Sequence, residues 1–211
     1  MVFEFNNHDK LRGQHALLAP SQPYWLGYTN EQLEQKFESS YAQSIGTAAH
    51  ELAETLIRER IKLKKTDKNM LMVHLLRCGI PRAAIDIDRL YSNFMEYVND
   101  AIGFRLNPEQ ILYGTKVCFG TADAISFRDM FLRIHDYKSG ITPAKMDQLL
   151  VYAALFCLEY NIKPGELKGC ELRIYQSDEI VVFNPKPEDI LPVMDIIIRH
   201  SRYLETYRME G

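Results

Sequence analysis

The sequence predicts an α/β (α+β) fold, a mixed central sheet flanked by helices, and three observations carry that expectation. Apolar residues recur at helical spacing up to about position 101. Three β-rich runs then follow closely, at 109–119, 121–127 and 130–138. A helix of about 20 residues, 143–162, separates them from two further strand-like runs at 167–176 and 180–183. Strands followed by a crossover helix and another strand imply a mixed sheet with helices on its faces.

Taken in order, residues 1–20 show no strong periodicity. Ser21 can cap a short turn carrying Trp25, which reads as a packing anchor. Residues 30–37 form a short helix with Leu33 and Phe37 on one face. A long helix is expected over 41–64, where Ile45, Ala49, Leu52 and Leu56 make an apolar stripe. Gly46, His50 and Glu54 lie on an adjoining stripe, at i, i+4 and i+8. The glycine leaves room at the imidazole, and Glu54 can orient it; a structural histidine beside an apolar face fits the same pattern. Lysines 62, 64 and 65 read as a solvated helix end, with DNA contact as the alternative.

A helix over 67–76 stops at Gly79, and Pro81 fits the first turn of the next, 82–101. Its core candidates are Ile85, Leu90, Phe94 and Val98. On the helix after the strands, Leu149, Ala153, Phe156 and Tyr160 make the packing face, while Gln148 and Tyr152 share another. A final amphipathic helix covers 188–209. No repeat or linker divides the chain, so one domain over 1–211 is expected, with a lead-in over 1–40.

Composition narrows the function classes. Hydrophobic content of 46% with 25% charged residues is that of a globular chain in water. No apolar run approaches the roughly 18 residues of a membrane span. The first residues lack the basic-then-apolar layout of a signal peptide, so a cytoplasmic protein without membrane partners is expected. Cys78, Cys118, Cys157 and Cys170 are widely spaced, which favours reduced, mostly buried thiols over disulfides, zinc or an iron–sulfur cluster. A net charge of −3 argues mildly against binding nucleic acid by charge alone. Metal ions or a local basic patch can still supply a positive field at a cleft.

The chemistry concentrates in Gly120-Thr121-Ala122-Asp123 and His135-Asp136-Tyr137-Lys138-Ser139-Gly140. Residues i and i+2 of a strand share a face, so Asp136 and Lys138 point one way and Tyr137 and His135 the other. If the two strands form a hairpin, with a tight turn at Arg128-Asp129, Asp123 can lie beside Asp136. Two converging carboxylates make a hard-oxygen site suited to Mg²⁺ or Mn²⁺, with a lysine charge beside it. Alone, Asp-x-Lys also fits an ordinary ion pair. His8, His15, His74, His135 and His200 have no evident partners in the sequence.

In this order the chain resembles the PD-(D/E)XK nuclease superfamily, in particular its RecB-like, phage-type exonuclease branch. The resemblance rests on Gly46-Thr47-Ala48-Ala49-His50-Glu51-Leu52-Ala53-Glu54, Gly120-Thr121-Ala122-Asp123, Asp136-Tyr137-Lys138-Ser139-Gly140 and Gln148-Leu149-Leu150-Val151-Tyr152. It implies a restriction-endonuclease-like αβββαβ core over 41–211, with a helical insertion at about 66–103.

It further implies a DNA nuclease, an exonuclease of phage-type recombination or DNA processing, in bacterial or phage-infected cytoplasm. His50, Asp123, Asp136 and the Tyr137 carbonyl would hold one or two Mg²⁺ or Mn²⁺ ions. Lys138 would steady the attacking water and the transition state, and Gln148 and Tyr152 would orient the nucleophile, Lys138 or a phosphate; helix-to-sheet hydrogen bonding is the plainer role for that pair. Glu109 would match the first-strand acid of some members. No iron–sulfur cluster is expected. Implied partners are DNA, a single-strand annealing or other recombination protein, and further copies of the chain. The rival readings are a nuclease-like module that holds DNA or a protein without cutting, an assembly protein, and a hydrolase of small phosphoesters.

Overall fold

The computed structural model describes residues 16–18, 20 and 23–210. The expected Ser21 cap lies outside them; the turn it would open, Pro23–Gly27, is a 3-10 turn with Trp25 half-buried. Four helices come first: α1 Asn30–Ser40, α2 Ala42–Arg58, α3 Lys68–Arg77 and α4 Ile87–Gly103. Strands β1 Asn107–Thr115, β2 Cys118–Arg128 and β3 Phe131–Tyr137 follow, then α5 Asp147–Glu159, β4 Gly169–Gln176, β5 Glu179–Phe183 and α6 Pro187–Glu210.

The strands make one sheet in the order β1-β2-β3-β4-β5. Only β3 and β4 run parallel, joined by the α5 crossover; the other neighbours are antiparallel. The fold is thus the expected α+β arrangement, a mixed sheet with helices on both faces. Alternation along the strands divides the core. Leu132, Ile134, Leu172 and Ile174 pack with α5 and α6. Tyr137 and Tyr175 pack with α2, α3 and α4, where Phe94 and Val98 are fully buried. Among the described residues no helix is long and apolar enough to cross a membrane.

Several expected boundaries move, each for a visible reason. The helix expected over 41–64 ends at Arg58, because Arg60 adopts φ 56° and turns the chain out. Asn99 of α4 then holds the next segment, accepting from Leu63 N–H at 2.8 Å and donating to its carbonyl at 2.9 Å. The helix expected over 82–101 is a 3-10 turn, Arg82–Ala84, followed by α4, which Asp86 caps by accepting from Arg89 N–H. The helix expected from 143 begins at Asp147. Gln176 holds the preceding loop open, accepting from Ala144 N–H and donating to the carbonyls of Gly140 and Thr142. The β2–β3 turn is Asp129-Met130, one residue later than expected; both have positive φ, as a two-residue hairpin of primed type requires.

Two packing expectations are also corrected. Tyr160 is half exposed, with its ring against Phe156. Of the four free thiols only Cys157 and Cys170 are buried; Cys78 is exposed.

Candidate metal centre

The β1–β2 and β2–β3 hairpins bring the acids together. Pro108↔Ala124 and Gln110↔Ala122 bracket Glu109 opposite Asp123. The Ala124↔His135 pairing carries Asp123 alongside Asp136. Helix α2 crosses this corner, and an open pocket of about 440 Å³ forms there. Gly46, His50 and Glu54 line it from α2, with Glu109 from β1 and Asp123 from β2. His50, Glu109 and Asp123 each place a ligating atom within 4.8 Å of the other two. Gly46 permits the close approach, since a Cβ there would lie 3.3 Å from Ser139 Oγ.

The two aspartates are held in different ways. Asp123 Oδ2 accepts from Tyr137 N–H at 3.3 Å and lies 3.5 Å from His50 Nδ1. Asp136 is 2% exposed, and neither of its oxygens has a hydrogen-bond partner. Lys138 Nζ sits 3.0 Å from Asp136 Oδ1 as an ion pair. Burial raises the pKa of both carboxyls; for Asp136 the neighbouring Asp123 charge adds to it, and Lys138 opposes the shift at both. Burial also raises Glu109, with Glu54 adding to the shift. It lowers His50, favouring the neutral imidazole that a metal needs, while Asp136 and the Tyr137 main chain oppose that shift. Glu109 holds φ 51°, a conformation unusual for a side-chain-bearing residue in a strand.

The lysine is positioned by the crossover helix. Gln148 Oε1 accepts from Lys138 Nζ at 3.0 Å, and Gln148 Nε2 donates to Tyr152 Oη at 3.4 Å. Tyr152 lies across β2 because Gly120 has no Cβ; one would meet the ring at 3.2 Å. Tyr137 points the other way, as strand alternation requires. Its ring contacts Phe94, Tyr97 and His50, and its hydroxyl donates to the Leu90 carbonyl at 3.2 Å. The Asp-x-Lys segment is thereby anchored from the opposite face.

Two expectations fail. Glu54 lines the pocket but does not orient His50; its Oε1 accepts from Arg58 at 2.7 and 2.9 Å, one helical turn on. His135 is not partnerless. It is fully buried, its Nδ1 lies 3.1 Å from Tyr175 Oη, and its Nε2 lies 3.6 Å from Glu171. The β3–β4 register sets Arg133 against Glu171 and His135 against Arg173. The signal was alternation of polar residues on two strands, but it becomes readable only once their register is known.

Residues 15–178 match the family described as Protein of unknown function (DUF2800). The chain belongs to that family. No curated protein matches it, and no solved structure does.

Proposed function

We propose that this DUF2800 chain is a Mg²⁺- or Mn²⁺-dependent deoxyribonuclease with a restriction-endonuclease-like core, an exonuclease of phage-type recombination or DNA processing. The observation that carries the reading is the convergence of Asp123, Asp136 and Lys138 in one corner, faced by His50 and Glu109 in an open pocket. The order α2, β1, β2, β3, α5, β4 supports the αβββαβ core, with α3 and α4 as the insertion.

The donor set fits a divalent cation. Asp136 presents two buried oxygens, of which only Oδ1 meets a cation, Lys138, and Asp123 lies close enough to raise its pKa. A cation between such carboxylates would relieve both burial and repulsion. His50, Glu109, Asp123 and Asp136 would hold it, together with the Tyr137 carbonyl. When bound, such an ion acidifies a water and offsets charge on a phosphate.

Lys138 supplies a fixed positive charge for an attacked phosphate, and Gln148 holds its ammonium in place. Tyr152 in turn fixes the Gln148 amide, so these two act as positioning residues. The test is incubation of end-labelled linear and closed circular DNA with the protein and Mg²⁺ or Mn²⁺. The reading expects metal-dependent loss of the linear substrate, abolished by chelator. Undiminished cleavage in excess chelator, or none under any metal condition, would overturn it.

A further inference from the structure

A second cluster, which shares only Glu51 with the lining of that pocket, combines three different ligand chemistries. His74 and Cys78 are four residues apart at the end of α3, on one face of the helix. Glu51 faces them from α2, and one ligating atom of each residue lies within 4.8 Å of the other two. Leu71 and Leu75, fully buried, seat α3 on the core and so determine which side meets α2. Among the described residues no ion pair or side-chain hydrogen bond engages the Glu51 carboxylate.

The spacing of the two stronger ligands is informative. Cys78 Sγ and His74 Nε2 are 3.7 Å apart. Around a tetrahedral Zn²⁺, with Zn–S of about 2.3 Å and Zn–N of about 2.0–2.1 Å, those atoms would be separated by about 3.6 Å. The pair therefore stands at ligand spacing already. Glu51 is exposed and has rotamer freedom to complete the approach.

We propose that Glu51, His74 and Cys78 form a zinc site, with thiolate, imidazole and carboxylate in three tetrahedral positions and water in the fourth. Binding deprotonates the Cys78 thiol, and the proton leaves to solvent. A thiolate and an imidazole select a borderline-soft ion, whereas the carboxylate-rich corner beside β2 suits Mg²⁺ or Mn²⁺. Zinc here would clip α3 to α2 at the residue next to His50. The inference does not depend on the nuclease reading.

Co²⁺, a spectroscopic stand-in for zinc, tests it. The reduced, metal-stripped full chain is titrated with Co²⁺ and then with Zn²⁺. One equivalent of Co²⁺ should produce a near-ultraviolet thiolate-to-cobalt band, and Zn²⁺ should bleach it. Cys78→Ser should abolish the band, and His74→Ala and Glu51→Gln should each weaken binding at least tenfold. Cys118→Ser and Asp123→Asn should retain it, the latter separating this cluster from the aspartate corner. Circular dichroism checks that each variant is folded. No thiolate band in the wild-type chain, or one that survives Cys78→Ser, would overturn the proposal.

Discussion

At the scale of single residues, the division of labour between Asp136 and Lys138 can be tested by contrast. Lys138 adds charge but no oxygen. Under the nuclease reading, Lys138→Ala should cut the cleavage rate by about 10²–10³, or roughly 3–4 kcal/mol, while divalent metal still binds. Asp136→Ala should lose both. Calorimetric metal titration beside a cleavage assay reads the two outcomes, and near wild-type cleavage by Lys138→Ala would reduce the motif to an ion pair.

A second expectation at this scale concerns pH and holds whatever the reaction. Burial pushes the Asp136 carboxyl up to about 7 from an ordinary 3.8. At pH 8 the metal-free fold must therefore carry an ionised, buried carboxylate, and it gains stability as the pH falls through 7 toward 5. Asp136→Asn removes the charge at nearly the same shape. The variant should be more stable than wild type at pH 8 in chelator, and the gap should narrow as the pH falls from 7 toward about 4. His135, lowered by burial, acts in the opposite direction but in both proteins, so its effect cancels in the difference; His50 and Asp123 sense the Asp136 charge and contribute to the gap. Denaturant unfolding at several pH values measures the gap; one that stays constant would contradict the argument.

At the scale of elements, the site depends on how closely α5 lies on β2. Tyr152 crosses the strand at Gly120, and the Tyr152–Gln148–Lys138 chain begins there. Gly120→Val inserts a branched side chain into the ring. It should cost about 1–3 kcal/mol in unfolding free energy, as overpacking does. It should also free Lys138 from Gln148, lowering cleavage beyond what the stability loss explains. Tyr152→Phe is the milder comparison, since it keeps the ring and removes only the hydroxyl. If Gly120→Val cut DNA as the wild type does, α5 would be scaffold alone.

At the scale of the whole molecule, the helical layer formed by α2, α3 and α4 holds the strand that carries the site. Phe94 is fully buried between Tyr91 and Tyr137, and the Tyr137 hydroxyl reaches the α4 backbone. Phe94→Ala should destabilise the chain by about 3–5 kcal/mol, a cavity cost for a large core ring, measured by chemical denaturation. Because Tyr137 alternates with Asp136 on β3, that loss should also weaken metal binding in the fraction that remains folded.

Much of the architecture was legible because periodicity is local. Ile45, Ala49 and Leu56 repeat at helical spacing and are buried, and the run of three strands, a helix and a strand dictated a mixed sheet with one crossover. Strand alternation likewise determined that Asp136 and Lys138 share a face and that Tyr137 opposes them. What the sequence could not decide were contacts between distant segments. Asn99 holding Leu63 and Gln176 holding the loop at 140–144 set helix ends that no local pattern marks. Glu54 took Arg58 in place of His50, because an arginine one turn away on the same helix reaches it first. The burial that leaves Asp136 without a hydrogen-bond donor, and the register that gives His135 its partners, exist only once β3 lies between β2 and β4. Local periodicity determines which elements form and which way their side chains alternate; desolvation and long-range hydrogen bonding, which set the chemistry of those side chains, arise only when the elements pack.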